Sequence, residues 1–165
     1  MTKPTASLRG IRRKLTLSLA AIALGLTTLI GWAPQASAAY NTGAVCGSGY
    51  TYLYSHALRN WSSSEYANAT LRIYINRSTK KVCNYVTSTG SWYGVKKYMT
   101  SDIGRSGGIT VDKSAGYYYY YAGPNYMSYT DDNTFVVNNG RVTINGKTYT
   151  WNAQAPIWQL AEWGS

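Results

Sequence analysis

The sequence predicts an all-β fold: a single small β-sandwich or barrel that ends in a β-meander and is held by one disulfide. Three observations point there. Residues 39–165 are rich in Tyr, Thr, Val, Ile and Trp throughout, with Gly, Asn and Ser between the apolar runs. Those runs are short and often alternate in polarity, and no stretch sustains a helical period. Two Asn-Gly pairs, Asn139-Gly140 and Asn145-Gly146, separate apolar runs near the C-terminus. Both residue types tolerate positive φ, so such pairs are strong hairpin signals.

Taken in order, Tyr50-Thr51-Tyr52-Leu53-Tyr54 reads as the first strand. Leu71, Ile73 and Ile75 alternate with Arg72, Tyr74 and Asn76, the pattern of a half-buried strand. Asn76 to Lys80 turns the chain into a partner strand, Lys81 to Thr87, which carries Cys83. A strand from about Tyr93 to Thr100 precedes a loop from Ser101 to Gly108. Ile109-Thr110-Val111 reads as a short edge strand. Gly116 opens the run Tyr117, Tyr118, Tyr119, Tyr120, Tyr121. As one strand, it would place 117, 119 and 121 on one face and 118 and 120 on the other. Ala122-Gly123-Pro124 turns it, and Tyr126 to Thr130 leads to the polar turn Asp131-Asp132-Asn133. Phe135-Val136-Val137, Val142-Thr143-Ile144 and Thr148-Tyr149-Thr150-Trp151 form the meander, with turns at the two Asn-Gly pairs. After Pro156, Ile157 to Trp163 makes one or two helical turns or a docked tail. The expected total is eight to ten short strands.

Residues 1–38 read as a secretory signal peptide rather than part of the fold. Lys3, Arg9, Arg12, Arg13 and Lys14 form a basic head, and an apolar run extends from Leu15 to about Trp32. Pro34 and Ala36-Ser37-Ala38 follow, so cleavage is expected between Ala38 and Ala39. That leaves residues 39–165 as a single β domain. The whole chain carries +10, but the leader holds five of the sixteen Lys and Arg and none of the six acids. Eleven cations against six acids give the mature chain +5, which weakens a nucleic-acid reading. Export also sets the redox context. Cys46 and Cys83 are expected to pair, because the sequence offers neither C-x-x-C spacing nor a zinc-ligand set.

Chemistry is sparse. The chain has one histidine, His56, which reads as structural or solvated. Gly104-Arg105-Ser106-Gly107-Gly108 is similar to a trypsin-like nucleophile loop, and Asp102 and His56 would complete a triad on paper. Asp102 and Ser106 lie too close in sequence for that arrangement, so a Gly/Ser turn is expected. Glu65, Asp102, Asp112, Asp131, Asp132 and Glu162 contain no local motif for a paired-carboxylate hydrolase. Asp131-Asp132-Asn133 lacks the spaced ligands of a calcium loop. No cofactor or metal is expected.

The remaining signal is aromatic. All seventeen tyrosines follow the leader, with five of the six tryptophans. Tyrosine combines an apolar face with a polar tip, which suits contact surfaces and thin cores alike. Tyr117 to Tyr121 and Tyr126 are therefore the predicted binding residues. Tyr and Trp platforms also stack on sugars. Lys80, Lys81, Lys96 and Lys97 would attract an anionic polymer or protect edge strands.

Tyr40-Asn41, Cys46-Gly47-Ser48-Gly49-Tyr50, Val82-Cys83-Asn84 and Tyr120-Tyr121-Ala122-Gly123-Pro124 resemble the small secreted spore-associated protein A family of Streptomyces and relatives. The resemblance implies an exported actinobacterial β protein at spores or the cell surface, with no established enzymatic activity. The chain departs from that pattern in having no cysteine after Cys83. The expected function is non-catalytic binding of a secreted protein partner or a cell-wall or spore-surface polymer. Neither nucleic acid nor, after cleavage, a membrane is expected as a partner. An adaptor subunit of a larger secreted, antimicrobial complex is the first alternative, docking through Ala39–Val45 or the tail Ile157–Trp163. A small hydrolase with a carboxylate pair is the second.

Overall fold

Period-two alternation carries most of the chain into eight strands, as seen in a computed structural model that describes residues 44–165. The leader and the Ala38-Ala39 cleavage position lie outside the described residues. The strands are β1 (Thr51–Arg59), β2 (Tyr66–Asn76), β3 (Lys81–Ser88), β4 (Lys97–Arg105), β5 (Ile109–Tyr118), β6 (Tyr121–Ser128), β7 (Phe135–Ile144) and β8 (Lys147–Pro156). A short helix, α1 (Ile157–Trp163), follows. All pairings are antiparallel, in the order β5-β4-β7-β8-β1-β2-β3-β6.

The sheet curls into a nearly closed barrel because its two end strands, β5 and β6, are consecutive in the chain. Side chains bridge them: the Tyr126 N–H donates to Asp112 Oδ2 at 2.9 Å, and Ser114 Oγ donates to Asn125 Oδ1 at 2.8 Å. The interior is filled by Leu58, Leu71, Ile73, Val82, Val86, Met99, Ile103, Val136 and Val142, all fully buried. Across this apolar interior runs a polar belt that periodicity does not reveal. Asn84 donates to the Asp102 carbonyl (2.7 Å) and to Asn138 Oδ1 (3.0 Å). Asn125 and Ser101 both donate to Asn84 Oδ1 at 3.0 Å. Buried amides are tolerable when paired in this way, and the belt ties β3 and β6 to β4 and β7. α1 closes one end by sending Ile157 and Leu160 into the core.

Several expectations are corrected. The strand placed at Tyr93–Thr100 lies at Lys97–Arg105, so the predicted loop begins only at Ser106. The tight turn there uses Gly107 and Gly108, both with positive φ, and β5 is ten residues long rather than three. The five tyrosines do not share a strand: β5 ends at Tyr118, Tyr119 and Tyr120 form a corner, and Tyr121 starts β6. The expected two-face alternation of that run therefore fails. Ala122-Gly123-Pro124 lies within β6, at an irregularity in its pairing with β3. Gly123 has φ +116°, and a Cβ there would come within 2.8 Å of Tyr85 Cβ.

Asn139-Gly140 is not a turn either, since β7 runs straight through it. Gly140 faces inward, where a Cβ would meet Val86 Cγ2 at 2.8 Å and Leu58 Cδ2 at 3.1 Å. The residue is small because the barrel is narrow at that point. Asn145-Gly146 is the predicted hairpin, with φ of 51° and 75°.

Candidate functional site

Outward side chains of the strands form two different surfaces. On β2, β3 and β6 they include Tyr74, Tyr85, Tyr121 and Tyr126, and the segment preceding β1 packs against this group. The 3-10 turn Ala44–Cys46 is joined to β3 by the Cys46–Cys83 disulfide, with Cα atoms 6.0 Å apart. Cys46, Tyr74, Cys83 and Tyr85 form a small second core, flanked by Val45, Tyr50, Tyr121 and Tyr126. Tyr74 stacks on Tyr85 with centroids 5.8 Å apart, and Tyr126 Oη donates to the Cys46 carbonyl at 3.2 Å. Burial raises the pKa of Tyr85, helped by its neighbour Tyr74, and burial also raises that of Tyr126. Two of the six predicted binding tyrosines, 121 and 126, thus pack against this covered face. Tyr118 packs against the main core.

On β4, β7 and β8 the outward face is open and holds a groove of about 490 Å3. Register explains its floor. Lys113, Asp102, Asn139 and Asn152 lie in one row across β5, β4, β7 and β8. Asn152 Nδ2 donates to Asn139 Oδ1, and Asn139 Nδ2 donates to Asp102 Oδ1 at 2.6 Å. The next row adds Thr100, Arg141 and Thr150.

Aromatic rings stand at the ends of this floor. At one end the β1–β8 pairing is reduced to a single bridge, Arg59 with Thr150. Beside that bridge the strands are joined by rings rather than by a ladder. Trp151 stacks on His56 with centroids 3.5 Å apart and planes 4° from parallel, and Trp61 stacks on Trp151 at 5.9 Å. Trp61 is held at the tip of the β1–β2 loop because Asn60 Oδ1 accepts the Ser62 and Ser63 N–H groups. The Arg59 guanidinium lies 5.2 Å from its ring centroid, and Lys147–Glu65 (2.9 Å) fastens the loop to β8. Trp61 is nevertheless 62% exposed. At the other end Tyr98 meets Tyr117 edge to face at 5.5 Å, and Lys96 Nζ lies 5.8 Å from the centroid of Tyr117. Tyr117 is 69% exposed, and Tyr119 and Tyr120 form an exposed corner nearby, with Tyr93 against Tyr120.

Of the predicted binding residues, therefore, Tyr117, Tyr119 and Tyr120 lie on an open surface, and Tyr117 joins the groove through Tyr98. Sequence reasoning missed Trp61, Tyr98, Asn139, Arg141, Trp151 and Asn152. The one available signal was that Tyr98, Thr100 and Asp102 alternate with Met99, Ser101 and Ile103, the mark of a strand continuing past Thr100. The triad residues serve other contacts: His56 Nδ1 lies 2.7 Å from the Ala57 carbonyl, and Asp102 accepts from Asn139.

Lys97, which the sequence places among the surface cations, is instead buried beneath the tyrosine corner. Its ammonium donates to the Val95 carbonyl and to the Tyr119 carbonyl at 3.1 Å. Burial without a counter-ion lowers its pKa to about 8. No protein-family model, curated protein or solved structure matches the chain.

Proposed function

We propose that the protein is an exported, non-catalytic binding protein of a cell or spore surface, and that the groove on β4, β7 and β8 is its contact surface. The observation that carries this reading is the groove itself. Exposed Trp61 at one end, and Tyr98 with exposed Tyr117 beside it at the other, flank a floor of cross-linked polar side chains. Aromatic platforms around a few placed polar groups are the general make-up of ligand sites. Export is supported by the leader pattern and by the Cys46–Cys83 bridge, which belongs to oxidising compartments. The spore-associated resemblance supports the same location.

The geometry favours binding over hydrolysis. Asp102 is the one carboxylate lining the groove, whereas glycoside hydrolysis usually needs two acids across the scissile bond. Four of the other five acids are engaged elsewhere: Glu65 with Lys147, Asp132 with Arg77, Asp112 with the Tyr126 N–H, and Asp131 with the Asn133 N–H; Glu162 lies on α1, away from the groove lining. Of the adaptor reading's two docking elements, Ala39–Val45 lies largely outside the described residues, and the tail sends Ile157 and Leu160 into the core while Trp158 and Trp163 stay exposed.

Pull-down of the mature protein on cell-wall and spore-coat material tests the proposal. The wild type is expected to sediment with the material, and Trp61→Ala plus Tyr117→Ala to remain in solution with an unchanged melting curve. Equal retention of the folded double variant would remove the groove as the contact surface.

A further inference from the structure

The groove also carries enough chemistry to specify the class of polymer. We infer that it takes an anionic glycan, a sugar chain bearing carboxylate or phosphate groups, laid across β8, β7, β4 and β5. This rests on the reading that the groove is the contact surface.

Three features combine. The first is the indole of Trp61, which stands 62% exposed at the end of the Trp151–His56 stack, an aromatic ring of the kind that the C–H face of a pyranose ring covers. The second is the direction of the floor's hydrogen bonds. Asn152 donates to Asn139, which donates to Asp102. One carboxylate oxygen of Asp102 is therefore left as an acceptor, and the outer amide Asn152 keeps its own carbonyl oxygen. Neighbouring sugar hydroxyls, each both donor and acceptor, match such a row, whereas an apolar peptide side chain would leave it unpaired. The row crosses four strands, roughly 14 Å at about 4.8 Å per strand spacing, which suits an oligosaccharide rather than one sugar.

The third feature is charge. Lys113 and Arg141 line the groove, and Lys96 stands at its far end beside Tyr117. The ion pairs among the described residues are Arg77–Asp132 and Lys147–Glu65, and neither uses these cations. Asp102 is the one carboxylate lining the groove, so the lining stays net positive. A uronate or phosphosugar supplies these cations with charged partners that a chain of neutral sugars lacks.

Calorimetric titration of the intact mature protein tests the inference with four probes: a hexauronate, a phosphomannan fragment, neutral cellohexaose and poly-glutamate. The expected result is binding of at least one charged oligosaccharide at least tenfold tighter than cellohexaose, weakening as NaCl rises from 50 to 300 mM. The hexauronate and phosphomannan arms tell carboxylate from phosphate. Lys113→Gln plus Arg141→Gln should remove the preference for charge, and Trp61→Ala should weaken all sugar binding. Both changes lie at the surface, and a melting curve confirms folding. Equal binding of neutral and charged sugars overturns the charge assignment. Poly-glutamate binding as tight as that of the sugars overturns the glycan. If no sugar binds while wild type still sediments with surface material and the Trp61 and Tyr117 variant does not, the ligand class is wrong and the groove survives. If that variant sediments as wild type does, the groove itself is wrong.

Discussion

The barrel has two aromatic outer faces that differ in what lies over them. On β2, β3 and β6 the tyrosines are sealed beneath the N-terminal turn by a disulfide, and Cys46, Tyr74, Cys83 and Tyr85 are buried. On β4, β7 and β8 the floor is Asp102, Asn139, Arg141 and Asn152, and the rings at its ends stay exposed. The composition of each face matches its cover. A covered face gains from apolar contact, and its phenol hydroxyls need partners under the cover, as Tyr126 finds at the Cys46 carbonyl. An open face can hold amides and charges, because water satisfies them until a ligand does. Aromatic richness alone therefore says little about binding. What distinguishes a contact surface here is rings combined with unburied, mutually oriented polar groups.

The largest effect should come from removing the seal. Cys46→Ala plus Cys83→Ala opens a loop of 37 positions, worth about 4 kcal/mol in the chain-entropy account. Denaturant unfolding is expected to show a loss of that order, with groove binding unchanged while the protein is folded. A loss below about 1 kcal/mol would mean the segment is held without its staple. Next comes Gly140→Val beneath the groove floor. Its side chain would press on Val86 and Leu58, at a cost of about 1–3 kcal/mol for overpacking. A neutral thermal melt would show that the barrel is wider there than its contacts imply.

A smaller effect is expected from pH. Lys97 titrates near 8 when folded and near its ordinary 10.5 when unfolded. Between those values the unfolded chain binds more protons, so this group's contribution to stability rises as pH rises from about 8 to 10.5. Tyrosines titrate in the same window, so the comparison is with Lys97→Met. The difference in melting temperature should move in favour of the wild type across that interval. A flat difference would mean that the ammonium is not penalised by burial. The smallest effect on stability belongs to Trp61→Ala, within about 0.5 kcal/mol as for an exposed site. Its consequence should be in binding.

Where local pattern and local structure coincide, the sequence was readable. The β2–β3 hairpin follows from the alternation at 71–76, the β7–β8 turn from Asn145-Gly146, and the disulfide from the expectation of export and the cysteine count. Gly140 misled because its neighbour Asn139 completes a turn signature, while the glycine is there for barrel packing. The tyrosine run misled because residues contiguous in sequence divide among the main core (Tyr118), the exposed corner (Tyr119, Tyr120) and the covered face (Tyr121). The groove was invisible for the opposite reason. Its residues come from four strands and one loop, and the two hairpins β4–β5 and β7–β8 meet only through the non-consecutive pairing of β4 with β7.

Hydrogen exchange followed by mass spectrometry, with and without the surface polymer fraction that the protein sediments with, tests the contrast between the two faces most directly. Added protection is predicted in β4, β7, β8 and the loop at 60–65, with no change at 44–50 or in β3. Protection confined to β3, β6 and the segment around Cys46 would contradict the account, because the covered tyrosine face would then be the one that binds.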